Sequence, residues 1–260
     1  MALGNVQFVT LGSDKNHFRD DNFVIMSLKG IFPIDKWDFN SQSILDKLPA
    51  EEFERLLQNA VEKTYVKGEM IFREGAYAGG IFYIKEGKVK KYKVDNFGKE
   101  QIIYVANPGE LIGYHAILAA EPYPDSAAVL EAGIITFIPK EDFLEVLDQS
   151  SVLSKRLLKT LSHEFAVLTN SISVFTQRPV RERLAITLLI LREKYKVTNA
   201  PNSRVEINVS RDDIANMAGA TRENVVRLLR EFKDEKLIET KGRKIWILDI
   251  KRLAAASNYM

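Results

Sequence analysis

The sequence of 260 residues contains no cysteine. This absence excludes disulfides, thiolate-bound zinc and cysteine-ligated iron–sulfur clusters, and it fits a protein of a reducing compartment. Histidine is scarce as well: of three histidines, only His115 lies in the β-rich part of the chain. A cupin-type metal centre needs several histidines and a carboxylate on neighbouring strands. The sequence also lacks a P-loop, a Rossmann fingerprint and a Ser/His/Asp set, so we expect no enzyme and no metal site.

Long apolar runs are missing too. Hydrophobic residues make up 46% of the chain, but no run approaches the ~18 residues that a membrane span requires. Residues 1–21 are polar and lack the basic segment followed by an apolar one that is typical of a secretory signal peptide. We therefore expect a cytoplasmic protein without membrane contact.

Charge is unevenly distributed along the chain. Residues 176–260 hold 18 Lys and Arg against 11 Asp and Glu, a net charge of +7, whereas residues 1–175 hold 19 against 24, a net charge of −5. A basic C-terminal third on an acidic remainder indicates a polyanionic partner for the C-terminal part. A chance imbalance between solvated surfaces would give the same totals, so charge alone does not identify that partner.

The hydrophobic pattern predicts an α+β fold with four parts. Residues 1–42 form an N-terminal extension, to which we assign no function. Residues 43–150 contain an amphipathic helix over 43–63 and then short β-rich runs between glycine turns, which predict an antiparallel β-roll or jelly roll. Residues 151–177 form one long helix, and residues 178–260 form a winged helix-turn-helix domain.

The long helix carries a narrow apolar stripe at alternating three- and four-residue steps, a heptad pattern that is typical of helix pairing. A helix packed on its own β-domain would show the same pattern. We favour pairing with a second copy, because a helix that joins two domains would otherwise expose its stripe. The predicted dimer seam consists of Leu158, Leu161, Phe165, Leu168, Ile172 and Phe175.

Residues 210–232 have the spacing of two helices joined by a tight turn. Ser210 is suited to cap the first helix, with Asp213 at the capping-box position. Gly219 can adopt the positive φ of a sharp turn. Thr221 caps the second helix, whose predicted buried face comprises Val225, Leu228, Leu229 and Phe232. This order of residues is what a helix-turn-helix requires.

The outward face of the second helix has the chemistry needed to read bases in the major groove. Arginine can bind the O6 and N7 atoms of guanine, and glutamate can accept from cytosine N4. Arg222, Glu223 and Arg227 are therefore predicted to read bases, although Glu223 and Arg227 would also form an ordinary i,i+4 ion pair. A strand, a basic turn and a second strand follow over 237–248, as in a wing. The predicted DNA-binding residues are Ser210, Arg211, Thr221, Arg222, Glu223, Val226, Arg227, Arg230, Lys241, Arg243 and Lys244.

These features, in this order, resemble the Crp/Fnr family of transcription regulators over about residues 45–248. Residues 67–75 resemble the first β-roll turn of that family, residues 108–113 resemble the turn entering its ligand cassette, and residues 210–230 resemble its helix-turn-helix. The signature with which the family reads a TGTGA-like half-site corresponds here to Arg222, Glu223 and Arg227.

The resemblance implies an effector-sensing role for residues 43–150. It also implies a homodimer joined through the long helix, a palindromic site in double-stranded promoter DNA, and contact with RNA polymerase. The absence of cysteine excludes the cysteine-ligated cluster of the oxygen-sensing branch.

The chain departs from the cyclic-AMP-binding members of the family. Those members follow the cassette glycine with a glutamate for the ribose, and later carry an arginine–serine pair for the cyclic phosphate. Here Tyr114 follows Gly113, and the pair becomes Asp125-Ser126, whose carboxylate would repel a cyclic phosphate. We therefore expect an unknown small-molecule effector other than cAMP. Its predicted pocket, between the β-roll and the long helix, is lined by Gly113, Tyr114, His115, Asp125, Ser126, Leu168 and Thr169.

Several alternatives stay open at this point. In one alternative, the pocket is filled by its own side chains and the regulator needs no effector. In another, His115 ligates haem and the protein senses a gas. An ordinary hydrogen-bonding role for that histidine is the more common case, and Asp125-Ser126 is compatible with a simple turn. The helix-turn-helix would also suit a sensory module that contacts another protein.

Overall fold

A computed structural model of the chain describes residues 28, 30–46, 48–196 and 204–259. Most of the predicted N-terminal extension and the polar loop predicted over 198–203 lie outside these residues. The described part of the extension contains two 3-10 turns, at Ile34–Lys36 and Ser41–Ile44. Within the described ranges, none of the helices combines the length and the apolar character that a membrane crossing requires.

The N-terminal half of the described chain is an antiparallel β-roll, as the glycine-punctuated pattern predicted. The strands are β1 (Val61–Tyr65), β2 (Met70–Phe72), β3 (Gly80–Ile84), β4 (Lys88–Val94), β5 (Glu100–Ala106), β6 (Leu111–Ile112), β7 (Ser126–Glu131) and β8 (Gly133–Pro139). One four-stranded sheet has the order β1-β8-β3-β6 and the other the order β2-β7-β4-β5. Side chains of both sheets, among them Phe72, Phe82 and Val129, meet in one buried cluster.

The single helix predicted over 43–63 is wrong. The helix α1 spans only Ala50–Leu56, and Val61–Tyr65 forms the strand β1 instead. Val61 lies four residues after Leu57 and so fits the helical pattern, but its main chain pairs with Phe137 of β8. Pairing with a distant strand therefore determines the structure at Val61, although the local spacing of apolar residues is that of a helix.

Three further helices surround the β-roll: α2 (Tyr114–Ala119), α3 (Lys140–Gln149) and α4 (Ser151–Gln177). The helix α4 has the bounds that the sequence predicted. Its N-terminus is capped by Ser150, whose Oγ accepts from the Leu153 amide at 3.0 Å. It ends before Pro179, because the residue preceding a proline is disfavoured in the helical region. One face of α4 is buried within the chain, mainly against α3 and the two 3-10 turns, and comprises Leu153, Leu157, Thr160, Glu164, Val167 and Val174.

The C-terminal domain is built on α5 (Val180–Lys194), most of whose apolar side chains are buried. The remaining elements are β9 (Ile207–Asn208), α6 (Arg211–Ala218), α7 (Arg222–Asp234), β10 (Ile238–Lys241), β11 (Lys244–Ile247) and α8 (Ile250–Ala256). Their strands form a three-stranded sheet of the order β10-β11-β9.

This domain packs directly on the β-roll. Tyr92 of β4 and Ile102 of β5 belong to the same buried cluster as Leu188 and Ile214 of the C-terminal domain. A polar node at the same junction is centred on Lys194, whose side chain is only 4% exposed.

The Lys194 ammonium contacts three oxygens of the β-roll and the extension. Its Nζ lies 3.1 Å from Asp38 Oδ2, 3.0 Å from Glu110 Oε1 and 2.7 Å from the Tyr104 hydroxyl. The Tyr104 hydroxyl donates in turn to Glu110 Oε2 at 2.6 Å. Burial and the Glu110 charge raise the pKa of Tyr104 well above its ordinary value, so the phenol stays neutral and donates. Two carboxylates and one ammonium thereby share one site, in which Glu110 and Lys194 are almost fully buried and Asp38 is partly exposed.

Gly80 is required by the close approach of β3 to β8. A Cβ at this position would lie 2.2 Å from the Ile138 carbonyl oxygen and 2.6 Å from the Phe137 ring. We expect Gly80→Ala to destabilise the β-roll by about 1–3 kcal/mol through overpacking. The neighbouring Gly79→Ala is the matched control, because its nearest atom would be 4.0 Å away. Urea unfolding of both variants measures the difference, and equal midpoints would contradict the assignment.

Lys194→Met removes the positive charge from the junction and leaves the Glu110 carboxylate buried without it. Breaking a buried ion pair in this way costs about 3–5 kcal/mol. Lys196→Met is the control, because this lysine lies nearby, is partly exposed and has its ammonium 3.8 Å from Glu193. Chemical unfolding at neutral pH should show a large loss for the first variant and little for the second.

The cost of Lys194→Met should also depend on pH. Burial acts to raise the pKa of Asp38, but the Lys194 charge, together with hydrogen bonds from Asn40, Lys194 and Tyr104, brings it below the ordinary 3.8. A carboxyl with a lowered folded-state pKa stabilises the fold above its unfolded pKa and loses this contribution as the pH falls through the folded value. The difference between wild type and variant should therefore shrink below pH 3.8. A difference that stays unchanged in that range would contradict the role of Asp38.

Candidate DNA-binding surface and effector region

The helices α6 and α7 form a helix-turn-helix with the caps that the sequence predicted. Ser210 Oγ accepts from the Asp213 amide at 3.0 Å and donates to Asp213 Oδ2 at 2.6 Å. Gly219 ends α6 at a φ of +59°, in the left-handed region that glycine adopts without strain. Thr221 Oγ1 accepts from the Asn224 amide at 3.3 Å and so caps α7. These contacts define where each helix begins and where the turn between them lies.

The helix α7 is strongly two-sided. Its buried face consists of Val225, Leu228, Leu229 and Phe232, as predicted. The residues predicted to contact DNA from this helix are all exposed on the other side: Arg222, Glu223, Val226, Arg227 and Arg230.

Surface ion pairs hold two of the exposed arginines. Arg222 Nε lies 3.5 Å from Asp212 Oδ1, and Arg227 pairs with Glu231 one turn further along α7. The alternative pair between Glu223 and Arg227 is not formed, and within the described ranges Glu223 has no ion pair. Exposed pairs of this kind are worth at most about 1 kcal/mol. A phosphate or a guanine edge can therefore replace these carboxylates at small cost.

The wing lies beside the helix-turn-helix and exposes its predicted cations. Gly242, with a φ of +58°, turns the chain between β10 and β11, and Lys241, Arg243 and Lys244 are exposed at this turn. Arg211 is half-buried and donates to the carbonyl oxygens of Arg243 at 3.1 Å and Gly242 at 3.0 Å. Arg211 thus ties the start of α6 to the wing turn, a positioning contact that the sequence did not indicate.

The start of α2 contacts α4 through polar groups. Gly113, at a φ of +87°, turns the chain into α2. The Tyr114 hydroxyl donates to Glu164 of α4, and His115 Nε2 lies 2.5 Å from Glu164 Oε2. Burial and the Glu164 charge raise the pKa of Tyr114 far above its ordinary value, so the phenol remains a neutral donor. Glu164 is a buried residue that sequence reasoning missed, because its partners Tyr114 and His115 lie far away along the chain.

Two predicted pocket residues do not face this region. Leu168 and Thr169 of α4 are both exposed, and Thr169 Oγ1 bonds the carbonyl of Phe165 in its own helix. Glu164 and Val167 occupy the buried face instead. The expected orientation of Leu168 and Thr169 was wrong because the sequence fixes the period of a helix but not which phase meets the β-roll.

Asp125 and Ser126 are engaged within the β-roll. Asp125 Oδ2 lies 3.2 Å from Lys91 Nζ, and both side chains are almost fully buried. Ser126 Oγ accepts from the Glu74 amide at 3.0 Å. The carboxylate is therefore neutralised by a lysine from β4, a partner that no local pattern indicated.

Aromatic side chains occupy the interior of the β-roll next to Gly113. The rings of Phe72 and Tyr123 stack at 4.1 Å, and Phe72 also lies 5.5 Å from Phe82. The Tyr123 hydroxyl donates to the Gly80 carbonyl at 2.8 Å, and burial raises the pKa of Tyr123 to about 12. Neither the buried carboxylate of Asp125 nor this aromatic filling suits a cyclic nucleotide.

Metal-ligand geometry is also lacking around His115. In the part of the chain that the structure describes, no three His, Asp or Glu side chains converge as a metal site would need. The Nε2 atom of His115 already contacts Glu164, and its ring stacks on Tyr114 at 4.3 Å.

Two family descriptions match most of the chain. Residues 62–150 match the "Cyclic nucleotide-binding domain" family, and residues 182–256 match the "Crp-like helix-turn-helix domain" family. The first covers the β-roll with α2 and α3, and the second covers most of the domain that carries α6, α7 and the wing.

Relatives of known function are similar over most of their length. The transcriptional activator protein Anr of Pseudomonas aeruginosa is 30% identical over 189 residues, which cover 73% of this chain and 77% of that protein. The anaerobic regulatory protein of Haemophilus influenzae is 28% identical over 199 residues, which cover 76% of this chain and 77% of that protein.

Solved structures show the same fold. FixK2 from Bradyrhizobium japonicum superimposes with a TM-score of 0.65 at 20% identity, covering 76% of this chain and 96% of that one. The first of these relatives is a transcriptional activator and the second is an anaerobic regulatory protein. Together with the two-sided α7 and the wing, these matches show that the chain belongs to the Crp/Fnr family of DNA-binding transcription regulators.

Proposed function

We propose that the chain is a homodimeric, sequence-specific regulator that binds a palindromic promoter site and responds to a small-molecule effector other than cAMP. The observation that carries the proposal is the shared exposure of Arg222, Glu223 and Arg227 on one face of α7. The opposite face of α7 is buried, so only this face is free to enter a major groove. Contact with RNA polymerase and a cytoplasmic location follow from this role and belong to the proposal.

The exposed residues divide into two kinds of DNA contact. Arg222 and Arg227 have the donors for guanine, and Glu223 has the acceptors for cytosine N4. Arg230, Lys241, Arg243 and Lys244 carry charge without a base-reading geometry and are assigned to phosphates. Ser210, Thr221 and Arg211 serve mainly to hold the reading helix and the wing in place, and Val226 offers an apolar contact.

Arg222→Ala and Arg227→Ala should each weaken binding to a palindromic duplex with TGTGA-like half-sites by about 1–3 kcal/mol, or roughly 5–150-fold. They should change the affinity for a shuffled duplex much less, because each lost contact is base-specific. Lys241→Ala should instead weaken binding to both duplexes equally. It should also reduce the slope of log affinity against log salt concentration by about 1. Fluorescence anisotropy at two salt concentrations measures all three.

Arg252→Ala is the control for these variants, because this exposed arginine lies on α8, outside the predicted surface. It should leave both affinities unchanged. Equal losses on the two duplexes for Arg222→Ala would contradict base reading, and a wild-type chain that binds neither duplex at low salt would contradict the proposed function.

The proposed dimer is supported by the free face of α4. Leu158 is 66% exposed, Phe165 74%, Leu168 39% and Ile172 65%. Such large apolar side chains on one helix face are typical of an interaction surface. A neighbouring face of α4 already packs within the chain, and the four exposed side chains of the stripe do not take part in that packing. Leu161 and Phe175, at other positions of the predicted seam, are half-buried within the chain.

Phe165→Asp should convert the dimer into a monomer at micromolar concentration, because it places two charges in the seam of the paired helices. The fold of each chain should survive, since Phe165 is exposed in the single chain. Lys159→Glu, an exposed change on the same helix, should leave the dimer intact. Sedimentation gives the mass in each case, and a dimer that persists in Phe165→Asp would contradict the seam.

The part of the proposal that excludes cAMP as the effector is supported by one contact in the β-roll. The carboxylate of Asp125 pairs with Lys91 where a cyclic phosphate would need a free cation. The Tyr114, His115 and Glu164 cluster links α2 to α4, so a change at this cluster would reach the proposed dimer helix. An effector would act by shifting the population between two arrangements of the paired α4 helices. The size of the shift is limited by the difference in the effector's affinity for these two arrangements.

A further inference from the structure

A cavity lies at the junction between the β-roll and the C-terminal domain. Its walls come from β5, α4, α5 and α6, and the Trp37 ring of the N-terminal segment forms part of one side. The space that the centres of water-sized molecules can reach inside the cavity is about 50 Å³. A single water needs about 10–15 Å³ of this space. The cavity therefore has room for a compact organic molecule.

Two of the few buried side-chain donors that lack a hydrogen-bond partner in the described chain line this cavity. They are Trp37 Nε1 and Arg183 Nε. Trp37 is only 7% exposed. Buried donors are nearly always paired with an acceptor, because an unpaired buried donor destabilises the fold. Two unpaired donors at one cavity indicate an acceptor that binds there.

Arg183 also lacks a counter-charge. Its two terminal nitrogens donate to the carbonyl oxygens of Phe175 and Gly219, each at 3.2 Å. No carboxylate lies within ion-pair distance of it among the residues that the structure describes. Burial lowers the pKa of its guanidinium from the ordinary value, but arginine remains charged. An anionic acceptor would compensate both the charge and the free donor.

The other walls of the cavity are mostly apolar. They include Val105, Val174, Ile186, Ile190 and Met217. An apolar lining with a few polar groups is typical of sites for small organic ligands. We propose that this cavity binds a small monocarboxylic acid with a compact apolar body, its carboxylate accepting from Arg183 and Trp37.

The position of the cavity gives such a ligand a regulatory route. Met217 belongs to α6 of the helix-turn-helix, while Val105 belongs to the β-roll. A ligand that contacts both domains stabilises the arrangement in which they are packed together. This step rests on the proposed function, whereas binding of the acid itself does not.

Trp37 is itself a reporter for the test. The chain has two tryptophans, so Trp246→Phe leaves Trp37 as the only indole emitter. Titration of this full-length variant with benzoate and, separately, with isovalerate should change the Trp37 emission in a saturable way, with a dissociation constant of about 1 mM or below. Benzyl alcohol, which lacks the carboxylate, and formate, which lacks the apolar body, should bind at least ten times more weakly.

Two variants locate the binding site. Arg183→Met removes the proposed carboxylate partner, and Ile190→Phe fills the cavity while it keeps the arginine. Both should weaken acid binding at least tenfold, and the second keeps the test decisive if the first fails to fold. Arg73→Met, an exposed change on the β-roll, is the matched control and should bind the acids like the parent.

Each outcome decides the proposal. Saturable emission changes that Ile190→Phe abolishes would support it. No saturable change with either acid, or a change that Ile190→Phe leaves intact, would overturn it and would leave ordered water as the partner of the two donors. Duplex binding of the wild-type chain without acid is measured in parallel, because Trp246 lies in the wing. Failure of the wild-type chain to bind would count against the proposed function and not against the cavity.

Discussion

The arrangement of this regulator depends on one helix that must satisfy two different environments. The buried face of α4 packs on the chain's own β-roll and brings Glu164 to the Tyr114 hydroxyl and the His115 ring. The other face carries exposed apolar side chains. Because a helix transmits a shift of one face to the other as a rigid body, whatever alters the β-roll contact must also alter the surface at which a second copy would pack.

A second junction connects the DNA-reading domain to the same β-roll. Lys194 places an ammonium between the Asp38 and Glu110 carboxylates, and it does so from the last turn of α5. Apolar packing at this junction is non-directional, whereas the buried ion pairs and the Tyr104 hydrogen bond need one relative position of the two domains. The adjacent cavity lies beside this contact. The interface between the two domains is therefore held by specific polar contacts at one point and is incompletely packed at another.

The sequence predicted best those features that depend on near neighbours. The caps at Ser210 and Thr221, the turn at Gly219 and the buried face of α7 all follow from spacing within one or two turns. The β-roll was recognisable because glycine turns punctuate β-rich runs. The helix predicted over 43–63 failed where Val61 pairs with a strand more than 70 residues away. Glu164, Lys91 and Lys194 were missed for the same reason, since each has its partner far along the chain.

The central claim is that two copies of α7 read two half-sites about one turn of duplex apart, ~34 Å. Methylation of guanine N7 removes the acceptor that an arginine needs. Methylation-interference mapping on a palindromic duplex therefore tests the claim directly. The account predicts interference at guanines of both half-sites, symmetric about the centre. Interference confined to one half-site, or none at any guanine of a duplex that the protein binds specifically, would contradict it.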